Sequence, residues 1–335
     1  MGTPTGQISA ADIRNEFGPS DNNGEKVQLG SYRVSQTVGG LSNLPLDTGI
    51  PQSGQISFGD MRNKKLNVVV NYHSGGNETR PQNARSRYID NNVTVIGGFR
   101  GRPSESAGHK VRIHVNKTIS GGSGANDCAL RTGSFDTNTA LQIDVGSSGK
   151  IYGRGGNGGA GGDGSGPGGD GQNGTHAIGI ESNYTEVNIL SGGVISCGYG
   201  GGGGGSGDHQ DDKGEERHAV GGGGGGGAGS PAGAGGDQGE GGAGGQDGSA
   251  GSSDHGGDGG NGGNNDNQAY GGTGGNGGGA GGGPGDGQNR DSDGGEAGSN
   301  GQAFRATGNI NAFHPNNVHN SGTVRGGTSY SVTVT

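Results

Sequence analysis

The alternation of apolar and polar residues between residues 66 and 150 predicts β-strands. Residues 66–72 and 93–96 are short apolar runs, and residues 110–115 and 140–145 alternate apolar with polar side chains. A period of two puts successive side chains on opposite faces of a sheet, as expected for strands with one buried face. Five arginines in this part are interpreted as a solvated face: Arg80, Arg85, Arg87, Arg100 and Arg102.

A strand followed by a glycine-containing turn occurs three times along the chain. The copies lie at residues 141–151, 187–195 and 319–324, and the first two lead directly into glycine tracts. This placement predicts β rungs that begin and end a glycine-rich structure.

The first 65 residues contain an internal repeat, because residues 6–15 recur as residues 54–63. Each copy predicts a short helix, with a serine at the N-cap and an aspartate three residues later that completes a capping box. Gly18 is expected to end the first helix. Such helices are too short to fold alone, and they either pack within the chain or anchor it to a larger assembly. The apolar side chains predicted to do this are Ile8, Ile13, Phe17, Ile56, Phe58 and Met61.

Glycine recurs at every third residue through much of the second half. The frame runs from Gly153 to Gly162 and again, without a miss, from Gly233 to Gly251. A flexible linker needs no such frame, whereas a threefold extended helix has this period. Only glycine lets such helices lie close enough to bond to one another through their backbones. The third residue of each Gly-Gly-Xaa triplet is expected to face water.

Composition excludes an ordinary apolar core for the whole chain. The protein has 91 glycines, no tryptophan and 24% hydrophobic residues, and its mean hydropathy is -0.74. Residues 1–150 hold 22 of the glycines and the rest of the chain holds 69. We therefore predict three parts: residues 1–65, a β-rich region at 66–150 and a glycine-rich domain at 151–335. The predicted fold class is mostly irregular and β, with short N-terminal helices, a central β region and a C-terminal bundle of polyglycine II helices flanked by β rungs.

Charge and the remaining motifs exclude several classes of protein. Residues 151–335 carry 6 basic against 19 acidic residues, which disfavours nucleic-acid binding. Ten prolines are too few for collagen, and Ser165 stands where a calcium-binding β-roll needs an apolar residue. No signal peptide and no run long enough to insert in a membrane is present, so synthesis in a cytoplasm is expected. Cys128 and Cys197 are interpreted as small buried residues.

Four polar breaks interrupt the glycine tracts, at residues 208–218, 252–255, 264–270 and 288–293. Rigid scaffolds commonly carry recognition on loops, so these breaks are candidate binding loops, although solvated turns are the alternative. Bland reversals at 165–167 and 230–232 tend to alternate with them, as expected for turns at opposite ends of an up-and-down bundle. The candidate residues are Asp208, His209, Gln210, Asp211, Asp212, Lys213, Glu215, Glu216, Arg217, His218, Asp254, His255, Asn264, Asn265, Asp266, Asn267, Gln268, Tyr270, Arg290, Asp291 and Asp293.

Catalysis and metal binding are the weaker interpretations of these loops. The paired acids of residues 208–217 lie in one run without a surrounding pocket, which disfavours a hydrolase. His209 and His218, with aspartates nearby, are possible metal ligands, but their spacing matches no standard ligand set. We therefore predict no enzyme activity, no cofactor and no metal.

The residues also resemble a known family. Residues 149–153, which lead into Gly-Gly-Xaa tracts, and residues 193–195, which lead into residues 200–205, are similar to the receptor-binding adhesins at the tips of T-even-type phage long tail fibres. Residues 6–18 resemble a module of phage tail and baseplate proteins. The glycine resemblance covers residues 149–335, whereas the front of the chain differs from the attachment domain of a T-even adhesin.

The resemblance implies a phage tail adhesin whose four polar breaks bind a host outer-membrane protein or glycan. The implied location is the virion, at the tail or tail-fibre tip, with residues 1–65 attaching to other tail or fibre proteins. We expect no nucleic-acid partner and no membrane insertion, and a homo-oligomer is left open. The alternative is a structural virion or tail protein that uses the glycine bundle as a spacer or an assembly surface.

Overall fold

The structure is a computed structural model of the 335-residue chain. It describes residues 2–20, 26–122, 127–183, 185–212, 215–242, 244–265, 269–280, 283–290, 292–306 and 318–326. The described residues are mostly β, with two short α-helices, α1 (Ala10–Phe17) and α2 (Ala84–Ile89). Single 3₁₀ turns lie at Leu29–Tyr32, Phe58–Met61 and Glu105–Ala107.

The described strands follow in chain order. They are β1 (Gln36–Val38), β2 (Leu41–Leu44), β3 (Asn67–Tyr72), β4 (Gln82–Asn83), β5 (Val93–Val95), β6 (Lys110–Val115), β7 (Thr118–Ser120), β8 (Cys128–Arg131), β9 (Ala140–Val145), β10 (Lys150–Tyr152), β11 (His176–Ile180), β12 (Thr185–Ile189), β13 (Val194–Ser196), β14 (Asp208–Asp212), β15 (Glu215–Ala219), β16 (Asn264–Asn265), β17 (Ala269–Tyr270), β18 (Phe304–Ala306), β19 (Val318–Asn320) and β20 (Thr323–Arg325). The strands predicted from apolar runs at residues 66–72 and 93–96 are confirmed as β3 and β5, and those predicted from alternation at 110–115 and 140–145 are confirmed as β6 and β9.

Three sheets of stacked strands form a solenoid. The first has the order β19-β12-β9-β6-β3-β5, the second β20-β13-β10-β7 and the third β18-β11-β8-β4. All pairs in them are parallel except β3 with β5. Successive circuits of the chain add strands to the three sheets in turn, as in the runs β6-β7-β8 and β9-β10-β11. The predicted β rungs are therefore successive levels of this solenoid.

Apolar side chains stacked from level to level fill the solenoid. Ile119, Ile151 and Ile195 are in register across the second sheet, and all three are fully buried. Leu130, Ile178 and Phe304 form the matching column of the third sheet. Burying one such side chain contributes about 1.5–3 kcal/mol, so these columns stabilise the part of the chain that carries the glycine tracts.

The N-terminal segment packs against the first levels of the solenoid. Ser9 and Asp12 form the predicted capping box of α1, and the helix ends before Gly18. The Glu16 carboxylate accepts hydrogen bonds from the Leu66 amide, at 2.7 Å, and from Nδ1 of His109, at 2.9 Å. Burial alone would raise the pKa of Glu16, but the interaction with His109 and the hydrogen bond from the Leu66 amide lower it, and the pKa lies below its usual value.

The second copy of the repeat also forms its capping box, between Ser57 and Asp60, but it makes only one 3₁₀ turn. Gly59 stands where the first copy has Ala11. Glycine disfavours a helix by about 1 kcal/mol relative to alanine, which favours the shorter element here.

The glycine tracts leave the solenoid between the second and third sheets. Residues 153–175 join β10 to β11, and residues 197–303 join β13 to β18. Within the described residues, the glycine tracts lie outside the helices and strands. Their amides bond to carbonyls of neighbouring segments at every third residue. For example, the amides of Gly156, Gly159 and Gly162 donate to Tyr199, Gly202 and Gly205 at 2.8–2.9 Å.

Two segments made only of glycine lie at the centre of this array. We call residues 200–205 and 221–227 the central segments. Their successive amides and carbonyls point in different directions, so the first central segment and its flanking residues bond to six neighbouring segments. Those neighbours are residues 153–162, 166–175, 220–228, 271–278, 285–288 and 294–301. The second central segment likewise has six neighbours, and this requires glycine at all three positions of the period.

Outer segments carry side chains at one position of each triplet. The prediction that these side chains simply face water was incomplete. The exposed Asp170 accepts a hydrogen bond from the Glu296 amide at 2.9 Å, and the exposed Asn173 accepts one from the Ser299 amide at 2.7 Å. Such side chains replace the neighbouring carbonyl that an amide at the edge of the array lacks.

Candidate functional site

The glycine segments alternate in direction, so their turns fall at two ends. The chain leaves the solenoid after β10 and returns at β11, which places residues 163–167 at the far end. The Gly207 amide donates to the Gly166 carbonyl, so the turn that follows residue 207 lies beside them. We call the end farthest from the solenoid the distal end. The distal end comprises the described residues within 163–167, 208–219, 240–242, 264–270 and 288–293.

The largest element of the distal end is a hairpin of β14 and β15. It pairs Asp208 with Ala219 and His209 with His218. The two imidazole rings stack with centroids 4.6 Å apart and planes 12° from parallel. Gln210, Asp211 and Glu216 are exposed, so this hairpin presents polar and charged groups to solvent.

A second, smaller hairpin of β16 and β17 packs beside the first. The Tyr270 amide donates to the Asp208 carboxylate at 2.6 Å, and Nδ2 of Asn265 donates to the His218 carbonyl at 3.5 Å. The Tyr270 side chain is 39% exposed. The structure therefore joins two of the predicted loops into one surface that includes an accessible aromatic ring.

The turn at residues 288–293 joins the same end through Ser206. The buried Ser206 hydroxyl accepts a hydrogen bond from the Arg290 amide at 2.7 Å, and the Ser206 amide donates one to the Gln288 carbonyl at 3.0 Å. The Asp293 carbonyl accepts from the Gly168 amide at 3.0 Å. Three of the four predicted breaks thus share the distal end, held together by hydrogen bonds that pair backbone groups with backbone or side-chain groups.

Residues 252–255 lie at the opposite end, next to the solenoid. The Asp254 carboxylate forms an ion pair with Arg325 of β20, and His255 lies in the same turn. The structure therefore does not bring Asp254 and His255 together with the other candidates. The expectation that the reversal at 165–167 lies away from the long breaks was wrong. The Gly207 amide donates to the Gly166 carbonyl, which places this reversal next to the hairpin that begins at Asp208.

Seven of the candidate residues fall wholly or partly outside the described part of the structure. Lys213, Asp266, Asn267, Gln268 and Asp291 lie outside the described residues, and the side chains of Asp212 and Glu215 do too.

The apolar residues predicted for attachment divide into buried and exposed groups. Ile13, Phe17 and Met61 are fully buried in the chain's own core, and Ile8 and Ile56 pack against that core. Phe58 is 40% exposed. Its ring is therefore the member of this set with most surface available to a partner.

Two features of the site were not identified from the sequence. Glycine-only runs mark the centre of the array, and the signal was present in the unbroken residues 200–205 and 221–227. The stacking of His209 on His218 depends on the hairpin register, which the spacing of the two residues does not specify.

Cys128 and Cys197 are buried free thiols, and burial raises the pKa of Cys128 to about 11.

These observations define a mostly β protein in which a solenoid supports a glycine-rich projection with polar loops at its far end. The family model described as phage tail fibre adhesin Gp38 matches residues 63–329. The chain belongs to this family of phage tail fibre adhesins. No curated protein and no solved structure matches the chain.

Family membership makes the chain a receptor-binding component of the phage tail, and the family is not an enzyme family. Among the described residues, no helix is long and apolar enough to cross a membrane.

Proposed function

We propose that the glycine segments are polyglycine II helices packed into one bundle. The support is their hydrogen bonding, which links neighbouring segments at every third residue and gives each central segment six neighbours. A threefold helix without internal hydrogen bonds directs its amides and carbonyls outward in this way. Each bond contributes only about 0.5–1.5 kcal/mol net, so order depends on many bonds forming together.

We further propose that the distal end of this bundle binds a receptor on the host cell, an outer-membrane protein or a glycan. The single observation that carries this proposal is the convergence of three polar breaks on the end farthest from the solenoid. A bundle held by backbone bonds is a rigid support, which lowers the entropy lost when its loops bind. The accessible contact residues proposed are Gln210, Asp211, Glu216, Arg217, Asn264, Tyr270 and Arg290.

An adsorption-competition experiment tests this proposal. Purified protein should block phage adsorption to host cells. Exchange of residues 208–219 for the hairpin of a family member with another host should abolish competition on the original host. Exchange of the turn 252–255 is the matched control, because it lies at the opposite end, and it should leave competition unchanged.

If exchanging all three distal breaks leaves adsorption unchanged while it disturbs tail assembly, the structural alternative is correct and the bundle is a spacer or an assembly surface. If exchange of 252–255 changes the host instead, binding lies at the solenoid end.

We also propose that residues 1–65 attach the protein to other tail or fibre proteins. In this division of the chain, residues 66–150 form a β-rich part and residues 151–335 form the receptor-binding part. The family match begins at residue 63, close to the first of these boundaries. Phe58 supports an attachment role because its ring is exposed beside the core.

Phe58→Ser should weaken attachment to tails by about tenfold or more, because burial of an aromatic ring contributes about 1.5–3 kcal/mol. Cosedimentation of the protein with adhesin-free tails measures this. Ile89→Ser is the control, since Ile89 is 47% exposed and lies on α2, outside residues 1–65. Equal cosedimentation of the two variants would show that Phe58 has no role in attachment.

A further inference from the structure

One face of the β14–β15 hairpin combines imidazole and carboxylate groups. His209 and His218 are paired across the two strands, and Asp211 is paired with Glu216. Residues two apart on a strand, and residues directly opposite one another, lie on the same face of a sheet. All four side chains therefore belong to one face, whereas Gln210 belongs to the other.

The distances within this face are short. Nε2 of His218 lies 3.8 Å from the Glu216 carboxylate, and Nε2 of His209 lies 4.0 Å from the Asp211 carboxylate. One ligand atom from each of His209, Glu216 and His218 can be chosen so that all three lie within 4.8 Å of one another. We propose that His209, Glu216 and His218 form a binding site for a divalent transition metal ion such as Zn²⁺.

The donor set selects the class of ion. Zinc binds imidazole nitrogen and carboxylate oxygen at about 2.0–2.2 Å, which places donors in a tetrahedral site roughly 3.3–3.6 Å apart. The three groups reach this spacing by rotating their side chains, because the paired strands already hold them on one face. Mg²⁺ and Ca²⁺ prefer oxygen ligands throughout, so two imidazoles disfavour them. Asp211 or water completes the coordination.

A metal ion here would join the two strands of the hairpin through their side chains. The hairpin belongs to the distal end, where the Asp208 carboxylate accepts a hydrogen bond from the Tyr270 amide. The ion fixes the His209, Glu216 and His218 side chains relative to one another and lowers the number of conformations open to them. This consequence holds whether or not the hairpin contacts a receptor.

Zinc titration of the full-length protein tests the site. After dialysis against a chelator, isothermal titration calorimetry should show one Zn²⁺ per chain, undiminished by excess Mg²⁺. The double variant His209→Gln/His218→Gln should weaken binding by more than about 100-fold. The control His255→Gln/His319→Gln removes two histidines outside the hairpin and should bind like the parent protein.

Glu216→Gln keeps the test decisive if the double variant disturbs the hairpin, because it leaves the stacked rings in place. It should weaken binding by about tenfold or more and alter the visible spectrum of bound Co²⁺. The proposal is overturned if the parent protein binds no Zn²⁺ in the micromolar range, or if the hairpin variants and the control bind alike. Adsorption competition is a separate measurement, so failure of the metal site leaves the receptor proposal standing, and the reverse also holds.

Discussion

At the scale of single residues, the central glycines are fixed by what lies against their α-carbons. A Cβ built on Gly203 would lie 1.8 Å from the Gly295 carbonyl oxygen, and one on Gly224 would lie 2.1 Å from that of Gly202. The opposing atoms belong to the backbone, so no side-chain rotation relieves the overlap. Glycine is therefore needed here for close approach, and a strained backbone angle is not the reason.

Gly203→Ala should consequently destabilise the protein by about 3 kcal/mol or more, beyond the usual cost of added methyl groups in a packed core. Gly244→Ala is the matched control, since nothing lies within 4 Å of its Cβ, and it should change stability by no more than about 0.5 kcal/mol. Chemical unfolding of both variants measures the difference. Equal stability would mean that the segments are not packed at this distance.

At the scale of elements, the outer segments show why triplets carry aspartate and asparagine so often. An outer segment has no neighbour on one side, and its outward amides need another acceptor. Asn157, Asp170 and Asn173 supply it through side-chain oxygens. The same short polar side chains cap helices for the same reason.

Asp170→Ala should lower the free energy of unfolding by about 0.5–1.5 kcal/mol, because the Glu296 amide loses its acceptor. Asp237→Ala removes a comparable exposed carboxylate with no hydrogen bond to a neighbouring amide described, and it should be close to neutral. Thermal unfolding of the two variants at one pH tests this. The assignment fails if Asp237→Ala is as costly as Asp170→Ala.

The elements were predictable wherever a short pattern determines them. Alternation gave β6 and β9, and the Ser9–Asp12 pair gave the start of α1. The order of the strands was not predictable, because a parallel solenoid pairs residues such as Ile151 and Ile195 that are far apart in sequence. The strands β7, β8 and β11 were missed for this reason.

The candidate site was predictable in part for a similar reason. The polar breaks stand out against glycine, so their existence follows from composition. The end of the bundle at which each break lies follows from counting every reversal of the chain. The short turn at 240–242 is also a reversal, and a count that leaves it out places residues 252–255 at the wrong end. The ion pair between Asp254 and Arg325 joins parts of the chain that no local pattern connects.

At the scale of the whole molecule, two kinds of order are joined in one chain. The solenoid is held by buried apolar columns such as Ile119, Ile151 and Ile195. The projection has almost no apolar interior and is held by backbone bonds between segments. The solenoid fixes where residues 153 and 198 begin their segments, which lowers the entropy cost of assembling the rest.

Hydrogen exchange of the glycine amides is the most direct test of this account. Protein labelled with ¹⁵N-glycine and transferred to D₂O should keep many glycine signals for hours by NMR, because the amides of 200–205 and 221–227 are hydrogen-bonded and buried. Their protection should approach that of Gly179, a buried glycine of the solenoid strand β11. Exchange of most glycine amides at the rate of an unfolded chain would contradict the account.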